Sequence, residues 1–151
     1  MLDIEDFKKS IGNKSRLLGI DPGKKRIGLA ISDEDKLVST PLKTILKKKF
    51  FDLIKEIKEI IEENNIKGIV VGNPLNMDGS KGSSSQSSND FARNLSNNIS
   101  IPVTMWDERL SSEGAFKLSG NIGVNTSKKI EKLDQNAASF ILQGVLDYLK
   151  R

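Results

Sequence analysis

The sequence predicts an α/β domain in which a mixed five-stranded sheet carries helices on its faces. Three strand-like segments with short connections come first, and two helix–strand pairs and a last helix follow, which gives the order β-β-β-α-β-α-β-α. Apolar residues alternate in the early segments and recur at the helical period later. Short turns join the early strands into an antiparallel meander, whereas the intervening helices make the later strands parallel to the first.

The first three strands are predicted within residues 17–45. Residues 17–21 form a short apolar run that ends in a carboxylate and a Pro-Gly turn. Residues 26–32 alternate large and small side chains at the period of a strand. The third extended segment contains Pro41, which predicts an edge strand or a bulge because proline cannot donate a hydrogen bond to a ladder.

The middle of the chain alternates between helix and strand patterns. FFDLIKEIKEIIEENN (50–65) has the apolar spacing of an amphipathic helix, and its two closing asparagines predict the stop. IKGIVVG (66–72) is a compact buried strand. Residues 79–88 are rich in serine and glycine, so we expect a loop there that leads into a helix around SNDFARNLSNN.

The last strand and helix complete the predicted order. IPVTMW (101–106) is a strand that runs into DERLSS, and a short helix is predicted over 113–117, before a loop at 119–127. The final helix, at about 128–150, places one apolar stripe on a single face. This stripe consists of Ile130, Leu133, Ala137, Ile141 and Val145.

Composition limits the chemistry that the chain can perform. The 151 residues include no Cys and no His, which excludes thiol nucleophiles, disulfides, Ser-His pairs and ordinary zinc sites. Catalysis must therefore use carboxylates, lysine, arginine, hydroxyls or a metal held by oxygen. The net charge of +4 permits a nucleic-acid partner without requiring one.

The termini and hydropathy predict one soluble unit. Residues 1–16 are expected to be a polar N-terminal extension, either a short surface helix or a frayed tail, and residues 17–151 a single domain. No apolar stretch approaches the roughly 18 residues that span a bilayer, and no signal core is present. We therefore expect a cytoplasmic protein without a membrane partner.

Acidic residues lie at strand ends that the predicted topology brings to one edge of the sheet. Asp21 ends the first strand, Asp107 and Glu108 end the last strand, and Asp134 is expected in the first turn of the final helix. Alternation lets only one of Asp107 and Glu108 point inward. Clustered carboxylates repel each other unless a hard cation such as Mg²⁺ or Mn²⁺ neutralises them. The simpler alternatives are a turn residue, a surface charge cluster and a helix N-cap.

Four segments in this order resemble the YqgF/RuvX-like family of candidate pre-16S ribosomal RNA nucleases, also called Holliday junction resolvase-like proteins. The segments are GIDPGKKRIGLAISD (19–33), IVVGNPLNMDGS (69–80), PVTMWDERLSS (102–112) and LDQNAASFILQGVL (133–146). The resemblance covers nearly the whole chain after about residue 16. It implies a ribonuclease H-like fold, hydrolysis of phosphodiester bonds with Mg²⁺ or Mn²⁺, and a role in maturing the 5′ end of 16S ribosomal RNA.

The resemblance also assigns roles to individual residues. Asp21, Glu108 (or else Asp107) and Asp134 match the family's catalytic and metal-binding acids. Asn73 and Asp78 fall beside the predicted site, as substrate contacts or as parts of an ordinary turn. The substrate-binding positions that the resemblance and the local charge indicate are Lys24, Arg26, Asn76 and Arg109.

Several alternatives stay open at this point. A DNA junction resolvase would use the same acids but would need a dimer for two incisions, so we expect a monomer or a homodimer. The partner is a structured RNA, or branched DNA as the alternative. A non-catalytic nucleic-acid-binding module would show metal-independent binding. The DPGKKRIG segment also resembles the phosphate hairpin of actin-like ATPases, but no Walker A spacing accompanies it.

Overall fold

The computed structural model describes residues 1–74, 82–107 and 126–150, except for the side chains of 83, 84 and 126–135. Nine helices and strands lie in these parts of the chain. They are α1 (Ile4–Ser10), β1 (Arg16–Pro22), β2 (Arg26–Ser32), β3 (Ser39–Leu46), α2 (Phe50–Glu63), β4 (Ile66–Asn73), α3 (Ser83–Asn98), β5 (Val103–Asp107) and α4 (Thr126–Leu149).

The five strands form one mixed sheet in the order β3-β2-β1-β4-β5. β2 pairs antiparallel with both β1 and β3, whereas β1, β4 and β5 run parallel. The predicted mixed sheet with an initial meander is therefore confirmed. Pro41 lies on the edge strand β3, at a register shift opposite Leu29 and Ala30, as its lack of an N–H predicts.

Two apolar cores cover the two faces of the sheet. One core joins β-strand residues such as Leu18, Ile20 and Val71 to buried side chains of α2 and α3. The other joins Leu17 and Val70 to buried side chains of α1 and α4. The strand residues alternate between the cores because successive side chains point to opposite faces, so the face of each strand residue can be determined from its position.

Helix α2 follows the sequence prediction closely, whereas α3 begins earlier than predicted. Asn64 caps α2, and Asn65 adopts the left-handed conformation (φ +54°) that ends a helix. The loop predicted over 79–88 is wrong for its second half, because α3 begins at Ser83. Ser85 and Ser88 are buried in this helix, and burial against the sheet outweighs the weak helix propensity of serine.

The final helix also begins earlier than predicted. Helix α4 starts at Thr126, so Asp134 lies in its third turn, and neither the first-turn prediction nor the N-cap alternative is correct. The buried stripe contains Ala138 rather than Ala137, together with Ile141 and Val145. The predicted short helix over 113–117 and the loop residues 119–125 lie outside the described residues.

The N-terminal segment packs onto the sheet. Asp3 caps α1 by accepting a hydrogen bond from the N–H of Asp6, and Phe7 is completely buried. Leu2 forms a parallel bridge with Thr104, whose hydroxyl donates to the Leu2 carbonyl at 2.9 Å. The polar composition of this segment did not predict these contacts, which cover the exposed edge of β5.

Within the described parts of the chain, no helix is both long enough and apolar enough to cross a membrane.

Candidate active site

Asp21 lies near the carboxyl end of β1, on the face that α4 covers. Leu18 and Ile20 face the α2–α3 core, so Asp21 shares its face with Gly19. A Cβ on Gly19 would come within 2.8 Å of the Leu142 Cβ and 3.1 Å of the Ala138 carbonyl oxygen. Glycine is therefore required here because α4 crosses β1 at close contact, two residues before the acid.

The predicted acid in α4 lies near the same crossing along the helix. Asp134 precedes Ala138 by four residues, which is slightly more than one helical turn or about 6 Å along the axis. Two residues of β1 separate Asp21 from Gly19, or about 7 Å. Asp21 and Asp134 therefore both lie within about 7 Å, along β1 and α4 respectively, of the contact between these two elements at Gly19. The side chain of Asp134 lies outside the described residues.

Asp107 lies on the other face of the sheet. Trp106 belongs to the α1–α4 core, whereas Asp107, one residue later, pairs in register with Asn73 on the α2–α3 face. Asn73 ends β4 and accepts a hydrogen bond of 2.8 Å from the Ser85 hydroxyl of α3. Asn73 therefore ends β4 and ties it to α3, so the ordinary turn predicted as one alternative for this residue is wrong.

A cleft of about 470 Å³ opens at the carboxyl end of the sheet beside Asp21. The β1–β2 turn forms one wall with Gly23 and Lys24, and α3 contributes Ser87 and Phe91 on the other side, so the cleft extends past the strand ends to the α2–α3 face of the sheet. Lys47, just after β3, also lines the cleft. A carboxylate and two lysines thus face one open space, which suits a ligand that carries both phosphate and metal.

The structure brings some predicted site residues together and leaves others apart. Asp21 and Lys24 share the cleft, as predicted from the GIDPGKK segment. Arg26 begins β2 opposite Leu46 and is not among the described residues that line the cleft. Four predicted positions lie outside the described residues: Asn76, Asp78, Glu108 and Arg109.

Sequence reasoning did not assign Lys47 and Ser87 to the site. Lys47 stands in a run of three lysines for which the sequence predicted no role, and Ser87 stands in the stretch predicted as a loop. The usable signal was the topology itself, since β3 is parallel to β1 and ends at the same edge of the sheet. The first residue after β3 is therefore carried to the end of the sheet where Asp21 lies.

The donor set at this end of the sheet fits a hard divalent cation. The chain has no His or Cys, so its side-chain ligands are oxygen atoms of carboxylates, amides and hydroxyls. Such ligands suit Mg²⁺ and Mn²⁺ rather than zinc. Among the residues that the structure describes, no three acids gather into one group, and two of the three predicted acids have side chains outside that set.

Comparison with known proteins gives a consistent result. The sequence model of the family RuvX, described as Holliday junction resolvase, matches residues 15–148. A protein from Pelagibacter ubique named a candidate pre-16S rRNA nuclease is 56% identical over 149 residues, which cover 99% of each chain. One of the same name from Methylocella silvestris is 41% identical and covers all of this chain and 94% of that one.

A solved structure has the same fold as this chain. RuvC of Thermus thermophilus, determined in complex with a Holliday junction substrate, superposes with a TM-score of 0.55 at 11% identity, covering 89% of this chain and 94% of that chain. At this identity the likeness concerns the fold alone. It confirms the predicted ribonuclease H-like architecture with a mixed five-stranded sheet.

Proposed function

Because this chain belongs to the RuvX family, we propose that it is a metal-dependent nuclease that hydrolyses phosphodiester bonds at the carboxyl end of its sheet. The observation that carries the proposal is the position of Asp21, which lies in the cleft with Lys24 and Lys47. The proposed substrate is the precursor of 16S ribosomal RNA, after the names of the relatives. Branched DNA is the alternative, after the family's description.

We assign the second acid of the site to Glu108 rather than Asp107. Alternation along β5 places Asp107 on the face opposite Asp21. An extended chain would return the next side chain to the face of Trp106, which is the face of Asp21. Asp134 is the proposed third acid, because it lies one helical turn from the α4–β1 contact.

Asp21, Glu108 and Asp134 would hold one or two Mg²⁺ or Mn²⁺ ions, which supply a water of lowered pKa and neutralise charge on the phosphate when bound. The three carboxylates together concentrate negative charge, and their mutual repulsion would be unfavourable without a bound cation. Lys24 and Lys47 bind phosphate oxygens from the open side of the cleft and orient the scissile bond. Arg109 is the proposed donor to charge that develops in the transition state.

The chain's only tryptophan offers a direct test of metal binding. Ile20 of β1 pairs with Val71 of β4, so Asp21 lies level with Gly72, the next residue of β4. Gly72 pairs with Trp106 of β5. The backbone of Trp106 is therefore two strands, or about 10 Å, from that of Asp21. Trp106 is 8% exposed and therefore shielded from water. We expect Mn²⁺ to quench its fluorescence saturably in the wild type, and Mg²⁺ to reverse the effect by competition.

The matched variants are Asp21→Asn and Asp107→Asn. Quenching should disappear in the first and persist in the second, and calorimetric titration should give the number of ions. Equal quenching in wild type and Asp21→Asn would refute the metal site. Activity is tested separately with Mn²⁺ on a labelled pre-16S 5′ fragment and a four-way DNA junction, and cleavage of the junction alone would favour the resolvase alternative.

A further inference from the structure

A second, smaller groove lies between α2 and the end of α3. It encloses about 310 Å³ and has an apolar floor and a polar rim. Its lining residues are Phe50, Phe51, Ile54, Lys55, Lys58 and Asn98. Phe51 leaves 80% of its surface exposed, the largest fraction among the exposed large hydrophobic residues that the structure describes. The Phe51 ring does not pack in the core, and an exposed aromatic side chain of this kind is typical of a surface that contacts a partner.

The exposed surface of α2 is divided by charge. Phe51, Lys55 and Lys58 recur at helical spacing and form a basic and aromatic stripe, which ends one turn later at the exposed Glu62. The neighbouring stripe is acidic and consists of Asp52, Glu56, Glu59 and Glu63. Glu56 pairs with Lys43 at 3.4 Å and Lys48 at 3.3 Å. In the described part of the chain, Lys55 and Lys58 form no ion pair, so their charges face solvent.

The basic stripe continues from the cleft of the candidate active site. Lys47 lines that cleft, and Lys48 and Lys49 lead directly into α2. The α-carbons of Lys47 and Phe51 are separated by four residues and thus by at most about 14 Å. Between the cleft and the groove a polyanion meets Lys47 and Lys49, which form no ion pair within the described residues, whereas Lys48 is paired with Glu56.

We propose that this groove binds an unpaired base of the nucleic-acid substrate, in the strand that flanks the cleaved bond. The inference rests on the proposed nuclease function. The Phe51 ring stacks on the face of the base, and Lys55 and Lys58 neutralise the adjoining phosphates. A duplex offers no free base face, so the groove selects substrates with a single-stranded flank beside the site of hydrolysis.

The test measures binding without cleavage, in EDTA, by fluorescence anisotropy with a labelled 12-nucleotide RNA and with the same RNA annealed to its complement. We expect Phe51→Ala and Phe51→Leu to weaken single-strand binding at least about fivefold, Phe51→Tyr to retain it, and duplex binding to change less than about twofold. Val38→Ala, which alters another exposed apolar residue (58%), is the control and should change neither.

The lysines are tested by salt dependence. Lys55→Gln/Lys58→Gln should lower the slope of log affinity against log salt by about 1.4, at roughly 0.7 per phosphate on a single strand. The exposed pair Lys9→Gln/Lys67→Gln is the control and should leave the slope unchanged. Unaltered single-strand binding by Phe51→Ala overturns the proposal. Loss of self-association in that variant also overturns it, because the groove would then bind a second copy of this chain. Failure of the wild type to bind or cleave any nucleic acid instead refutes the proposed function.

Discussion

The amino end of the sheet is held by hydrogen bonds within the protein, whereas the carboxyl end turns charged side chains toward an open cleft. At the amino end, the Lys36 ammonium donates to the carbonyls of Gly12 and Asn13 at 2.8 and 2.7 Å and to the Ser15 hydroxyl at 3.2 Å. At the carboxyl end, Lys24 and Lys47 line the cleft, and neither forms an ion pair within the described residues.

The contrast shows how one residue type serves two purposes. Lys36 is half-buried, and burial lowers its pKa because the charged form loses hydration. Its three acceptors make it a clamp between the β2–β3 connection and the segment after α1. Lysines at the other end keep their hydration and donors for a ligand. Function is expected at the end of the molecule where Lys24 and Lys47 line an open cleft.

The largest expected effect tests which acid belongs to the carboxyl end. Glu108→Gln should lower kcat about ten-thousandfold, or about 5 kcal/mol of transition-state stabilisation, because it removes a proposed metal ligand. Asp107→Asn should change kcat less than about threefold, because Asp107 lies on the face opposite Asp21 and is not among the described residues that line the cleft. Cleavage rates with Mn²⁺ measure both, and the reverse ranking would contradict the assignment of Glu108 as the second acid.

The next effect concerns stability at the amino end. Phe7→Ala should reduce the free energy of unfolding by about 4 kcal/mol, because Phe7 is completely buried against β4, where a Cβ on Gly68 would meet its Cζ at 2.9 Å. Urea denaturation measures the loss, and cleavage per folded molecule at low temperature should be retained. Phe51→Ala, at an exposed ring, is the control, and equal losses would contradict the packed N-terminal segment.

A matched pair of lysines tests the two ends against each other. Lys47→Gln should lower kcat/KM about tenfold, because one phosphate contact is worth about 1–2 kcal/mol, and should leave the melting temperature unchanged. Lys36→Gln should do the opposite, with a loss of about 1 kcal/mol of stability and full activity. Steady-state kinetics and thermal melts on both variants measure these effects. Equal changes of activity and stability in the two variants would show that the two ends of the sheet do not differ in the roles of their lysines.

Much of the fold could be predicted because local patterns agree with the tertiary structure. The strand order of the meander, the α2 stripe with its asparagine stop, and the edge position of Pro41 all follow from period and turn chemistry. The start of α3 could not be predicted, since Ser85 and Ser88 are held in the helix by burial that composition does not reveal. Phe7 was missed for the same reason, because one buried ring in a polar segment gives no periodic signal.

The candidate site divides in the same way. Asp21 and Lys24 could be assigned from one continuous segment, because the turn after β1 keeps them close. Lys47 could not, since its place in the cleft depends on the sheet order, in which β3 runs parallel to β1 on the far side of β2 and ends at the same edge. The choice between Asp107 and Glu108 depends on the register of β5, which the structure gives as far as Asp107; the assignment of Glu108 stays a prediction.

The smallest effect tests whether charge at the amino end is structural. Asp33 accepts hydrogen bonds from the N–H groups of Leu37 at 2.8 Å and Val38 at 3.0 Å. The Val38 bond is the main cause that lowers the pKa of Asp33 below its ordinary value of 3.8. A lowered pKa in the folded state means that the carboxylate's contribution is complete above pH 3.8 and is lost as the pH falls through the folded-state pKa.

Asp33→Asn keeps the oxygen acceptor but cannot titrate, so its melting temperature should fall less steeply than that of the wild type below about pH 4, by about 2 °C in total. Thermal melts from about pH 6 to about pH 2 measure this difference. Asp35→Asn is the control, because its partner Lys14 and Asp35 itself are 72% and 54% exposed and such surface pairs contribute little. Parallel curves for wild type and Asp33→Asn would show that the hydrogen bonds of Asp33 do not depend on its charge, and the amino end would then be held by neutral contacts alone.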